Sequence, residues 1–222
     1  MGISTGYIIS YAIAIVAVLS LSVYFFREYS KKKLRALLAW SFGFLFYGIT
    51  QIAHLSADMF GDVSMGKLGF GLGMAVLVLA VTLFYYGTSL LFFDERSFLR
   101  EKMSLIILLI YSVYSAIILA VLPIEGFVKS VAAPLSLGVM LPMFIVIGAP
   151  FYLTSRRISQ GDIRKRVLLL LATGWFLVAV CSAYLGTLLG LSLVTDSLVY
   201  ILQVVAWALI WYGMVIGKAA RI

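Results

Sequence analysis

Among its 222 residues the chain has one cysteine, one histidine, four prolines and nine acidic residues. Each shortage removes a class of chemistry. A lone cysteine, Cys181, cannot close an intramolecular disulfide, and its place inside an apolar run suits a small packing residue. With His54 as the single histidine, a zinc protease of the His-Glu-x-x-His kind and a haem held on both axial faces are out of reach. No Asp-rich run exists to hold magnesium on a pyrophosphate. Gly61-Asp62 lacks the extra glycine of the Gly-x-Gly-Asp intramembrane aspartyl proteases. Gly87-Thr88-Ser89 is not a Gly-x-Ser-x-Gly elbow, and no second histidine could serve it as base. No enzyme, cofactor or metal site is expected.

Charge is scarce too. Charged residues make up 12% of the chain, against about 25% in a soluble domain. Hydrophobic residues make up 64%, and the mean hydropathy is +1.12. The apolar residues gather in runs of about 20, the length a bilayer crossing needs. No polar block is long enough to fold separately, so residues 1–222 are expected to form one all-α integral membrane domain of seven helices. The spans read as about 5–26, 36–56, 66–93, 103–122, 133–154, 167–190 and 196–217. The first is too long for a cleaved leader, and it is followed, not preceded, by Arg27 and Lys31–Lys33.

The net charge of +8 resides in short loops, which encodes topology and gives no reason to expect nucleic acid. The connections after spans 1, 3 and 5 and the C-terminal tail hold fifteen of the seventeen basic residues; the other side holds Lys67 and Lys129. The N-terminus is therefore expected outside and the C-terminus in the cytoplasm, in a multi-pass cell-membrane protein. The basic loops should attract anionic lipid headgroups.

Span 2 carries the clearest polar seam. Trp40, Phe44, Tyr47, Gln51, His54 and Asp58 fall within roughly an 80° arc of one helix, and lipid cannot solvate that face. Two further stripes run along span 3 (Lys67, Met74, Val78, Thr82, Tyr85, Ser89) and span 7 (Tyr200, Gln203, Trp207, Trp211, Met214). If the three converge, Tyr47, Gln51, His54, Tyr85, Gln203 and Trp207 would bind a small organic or lipid-like ligand, beneath an outer mouth of Asp58, Asp62 and Lys67. The alternative is that these side chains knit the helices together. A His54–Asp58 pair one turn apart would suit a pH-sensing or proton-coupled step, whereas an interfacial histidine bonded to a neighbour needs no such role. Gly66, Gly69 and Gly73 share a face suited to close helix packing. Pro142 and Pro150 should kink or locally unwind span 5.

A repeat is visible. Arg35 to Phe44 reads RALLAWSFGF and Arg166 to Trp175 reads RVLLLLATGW; LFYYG at Leu83–Gly87 rhymes with LIWYG at Leu209–Gly213. Spans 1–3 and 5–7 would then be parallel repeats joined by span 4, a 3+1+3 arrangement. The same features also follow from Arg anchors at helix starts and Trp/Tyr belts at helix ends.

In span count and orientation the chain is similar to the microbial rhodopsins, but LVYILQVVAWALIWYGMVIG in span 7 has no lysine for a retinal Schiff base. The basic loop Lys31–Arg35 with LRALLAWSFGFLFYG, and Arg166-x-Leu-Leu with Gly174, resemble the seven-helix sensor modules at the N-terminus of some prokaryotic histidine kinases. That resemblance implies a non-enzymatic, receptor-like bundle. With about five residues after span 7, no output domain is expected, and a separate cytoplasmic protein would dock on the basic loop 156–166. A carrier or channel of the 3+1+3 type is the alternative, though the Pro-Gln pair of the sugar carriers is missing; a membrane scaffold subunit is the third.

Overall fold

Every element of the computed structural model, which describes residues 5–60, 63–121, 136–187 and 193–219, is helical. There is no strand among these residues. The long helices are α1 (Thr5–Lys32), α2 (Arg35–Phe60), α3 (Val63–Phe92), α4 (Glu101–Val121), α5 (Leu141–Arg156), α6 (Ile163–Thr187) and α7 (Leu193–Ala219). Six described helical segments of at least 20 residues are apolar enough to cross a membrane: one each in α1, α2, α3, α6 and α7, and one at Leu137–Arg156 that joins the turn before α5 to α5 itself. Large side chains such as Val16, Val23, Leu105, Leu109 and Val180 are exposed, an arrangement suited to acyl chains and costly in water. The protein is a multi-pass bundle of six to seven membrane-spanning helices.

Local chemistry sets the connections at one end. Lys33 adopts a left-handed φ of 55° and its N–H reaches the Tyr29 carbonyl at 2.7 Å, which ends α1 and turns the chain into α2 within two residues. Asp162 accepts the Arg164 N–H at 2.8 Å and opens α6, with Gly161 supplying a φ of 95° just before it. Between α3 and α4, the Tyr85 hydroxyl donates to the Leu99 carbonyl at 2.7 Å and Ser89 donates to that of Arg100 at 3.1 Å. These three connections gather most of the loop arginines and lysines, and we call this the basic end.

The helices form a ring in the order α1, α2, α3, α5, α6, α7, with α7 returning to α1 and α4 packed outside on α3. Neighbours α2 and α3 run antiparallel, as do α6 and α7. Helix α5 runs parallel to α3, since Phe84 meets Phe144 and, nearer the basic end, Phe92 meets Phe151. Lipid gives helices little hydrophobic reason to associate, so close backbone approach and polar clasps carry the packing. Ser22 and Ser41 each donate to the other's carbonyl, at 2.8 and 2.9 Å, joining α1 to α2. Thr50 on α2 donates to the Gly73 carbonyl on α3 at 3.1 Å. Glycines let bulky partners in: Phe84 lies on Gly43, Trp40 on Gly87, Ile210 on Gly174, and Leu170 and Leu171 on Gly213.

The two prolines of span 5 act differently. Pro142 sits in the first turn of α5, where its missing N–H interrupts no α-helical bond, directly after a π-helical turn at Ser136–Met140. Pro150 lies inside α5 and leaves the Val146 carbonyl without its helical donor.

Candidate functional site

The seam of α2 faces the axis of the ring. Trp40, Phe44, Tyr47 and Gln51 are all buried. Around them stand Phe84 of α3, Phe144 of α5, Trp175 of α6 and Trp207 of α7. Phe44 meets Phe84 at 4.7 Å and Trp207 at 5.5 Å between ring centroids, and stacks on Trp175 at 6.1 Å. Most of these contacts are edge-to-face, each worth about 0.5–1.5 kcal/mol beyond its area. Aromatic rings fill the middle of the bundle.

One polar network crosses this core. Gln51 donates to the Gln203 side-chain oxygen at 3.1 Å, and Gln203 donates to the Tyr47 hydroxyl at 2.8 Å. Trp207 closes on the Tyr47 ring edge-to-face at 5.5 Å. Four of the six expected ligand-binding residues are thus brought together: Tyr47, Gln51 and Gln203 hydrogen-bond to one another, and Trp207 packs on the Tyr47 ring. His54 lies nearer the other end of α2, its imidazole against Gly73, where an added methyl would come within 2.5 Å of Nε2. Tyr85 does not join them. Its neighbour Phe84 faces the axis, which turns Tyr85 and Ser89 outward to α4 and α5. Two of the three polar stripes converge, and the one on α3 serves a different space. Of the outer-mouth residues, Asp62 lies outside the described residues, as do the side chains of Asp58 and Lys67. Among the described residues no three His, Cys, Asp or Glu side chains group as metal ligands would.

The space that α3 serves is a cavity of about 550 Å³ between α3, α4 and α5 at the basic end. That size falls within the range of ligand pockets, about 300–1,000 Å³. Its floor is the buried pair Ile107 and Met143, with Tyr85, Thr88 and Ser89 along the α3 wall. Its rim is Ile110, Val146 and Leu153, all exposed, so the cavity opens sideways between α4 and α5. Pro150 lies in the α5 wall and Arg157 at the end of that helix. Thr88 contributes to the α3 wall, but its hydroxyl oxygen is buried away from the cavity and has no hydrogen-bond partner among the described residues. The stripes on α2 and α7 do not point to this site. The signals that could have are Pro150, since an interrupted helix can border a cavity, and Ser104, Tyr111 and Ser115, which share one face of α4.

A second, smaller groove of about 210 Å³ lies between α1 and α7 beside Trp207 and Trp211. Comparison with known protein families, with curated proteins and with solved structures finds no match for the chain.

Proposed function

We propose that the protein is a non-enzymatic, receptor- or sensor-like membrane protein that holds a lipid-like or small organic ligand among its helices and signals through a separate partner. The observation that carries this reading is the apolar cavity between α3, α4 and α5, open towards the bilayer and walled by a helix with an internal proline. A ligand there presses on Val146 and Pro150, where the α5 hydrogen-bond ladder is already interrupted. Movement of the lower half of α5 then displaces Arg157 and the basic loop 156–166, which faces the cytoplasm in the orientation that the charge distribution supports. The reading has seven helices crossing the membrane and is compatible with a sensor module of the histidine-kinase kind acting on a protein in trans.

The test is extraction and mass spectrometry of what co-purifies with the wild-type chain and with Ile110→Trp, which fills the cavity from the α4 side. A compound present near one per chain in the wild type and lost from the variant supports the reading; the same extract from both overturns it.

A carrier with two parallel repeats is the second reading, favoured by one observation. Phe84 packs on Gly43 as Ile210 packs on Gly174, and Trp40 lies on Gly87 as Leu171 lies on Gly213. Each residue of one pair occupies the position of its counterpart in the repeated segments, so the two helix pairs make the same contacts. Flux in proteoliposomes separates the readings: a carrier moves solute, and a receptor does not.

A further inference from the structure

Binding within the α3–α4–α5 cavity is the reading above, and the chemistry at its two ends narrows what occupies it. Met143 to Arg157 along α5 spans roughly 21 Å at about 1.5 Å per residue. One leaflet of a 30 Å hydrocarbon core is about 15 Å deep, so the trough is long enough for a whole acyl chain. Its lining is apolar from Met103 and Ile110 through Met143 and Val146. Charge enters only at the basic end. There Arg157 is exposed and makes no ion pair among the described residues, while the nearest ion pair of the α3–α4 connection joins Arg100 to Glu95 at 3.8 Å and so occupies that carboxylate. A neutral hydrocarbon would leave the Arg157 guanidinium unused, and a water-soluble anion would leave the trough empty.

We propose that the cavity between α3, α4 and α5 holds one anionic membrane lipid, its acyl chain along Met103, Ile110 and Met143 and its headgroup at Arg157. The guanidinium gives the headgroup a fixed point at the level where lipid phosphates lie, and its planar fork suits a phosphate better than an ammonium would. The sideways opening between α4 and α5 lets the lipid enter from the leaflet without leaving the membrane. Non-specific attraction by the basic loops would hold many lipids loosely; the cavity holds one, and holds it by its tail as well.

The experiment is native mass spectrometry of the full chain in detergent doped with equal amounts of phosphatidylglycerol and phosphatidylcholine of matched acyl chains. The wild type should retain one phosphatidylglycerol, preferred over phosphatidylcholine by about tenfold or more, the scale of one charge-assisted contact. Arg157→Gln should abolish the preference. Ile110→Trp and Ala149→Trp, filling the cavity from opposite walls, should lose both lipids while remaining monodisperse; two variants guard against either one failing to fold. Retained preference in Arg157→Gln overturns the proposal. If the fillers remove both lipids but the wild type shows no preference, the headgroup assignment falls while the cavity reading stands. If neither monodisperse filler changes retention, both fall.

Discussion

Gln51 and Gln203 lie 152 positions apart in the chain and share a hydrogen bond in the centre of the bundle. Removing either amide leaves its partner buried and unsatisfied, which costs more than the bond itself contributes. Gln51→Leu and Gln203→Leu should each destabilise the protein, and the double variant by less than their sum, with a coupling of about 0.6–1.7 kcal/mol, the range for interhelical bonds in membranes. A double-mutant cycle of denaturant unfolding measures this; additive losses would show that the two amides are independent. The burial of Tyr47 and Gln51 was legible in the sequence, because a polar stripe on a helix too apolar for water must face protein. What the stripe could not reveal was its partner. Spacing fixes the face of a helix but not which neighbour meets it, and Tyr85 was misplaced by one residue of rotation, since Phe84 takes the inward direction.

At the scale of the element, glycine separates positions that look alike in sequence. A methyl on Gly87 would collide with the Trp40 indole and stand 3.1 Å from the Ala36 carbonyl, and one on Gly174 would stand 3.0 Å from the Ala206 carbonyl. Backbone cannot swing aside as a side chain can, so Gly87→Ala and Gly174→Ala should each cost about 1–3 kcal/mol. Gly6→Ala, with open space around it, should be neutral or slightly stabilising. Thermal unfolding of the three variants decides the matter, and equal melting temperatures would contradict the packing described. Helix α5 gives a second prediction. Pro150→Ala restores a donor for the Val146 carbonyl, so amide exchange should slow between residues 146 and 157. Unchanged exchange there would mean that the proline introduces no weak point. The sequence located both prolines but could not separate their effects, because Pro142 is harmless only by virtue of the π-helical turn that places it at a helix start.

For the molecule as a whole, charge and hydropathy sufficed for an all-α, multi-pass bundle: apolar runs mark the helices and basic loops mark one end. The orientation is open to direct test. In a Cys181→Ser background, Ser97→Cys and Gln160→Cys should resist a membrane-impermeant thiol reagent in intact cells and react after permeabilisation; labelling of intact cells would invert the topology. The cavity was not legible, because it exists only where α4 stands outside the ring and leaves a gap against α5, an arrangement that hydrophobic pattern does not encode. The central claim is that this gap is a ligand site, and photo-crosslinking tests it most directly. A diazirine-bearing phosphatidylglycerol, added to the full chain in phosphatidylcholine vesicles, should label peptides containing Met103, Tyr111 and Met143 and be displaced by unlabelled phosphatidylglycerol. Label spread evenly over bilayer-facing residues such as Leu105, Leu109 and Val180, with no displacement, would contradict the account.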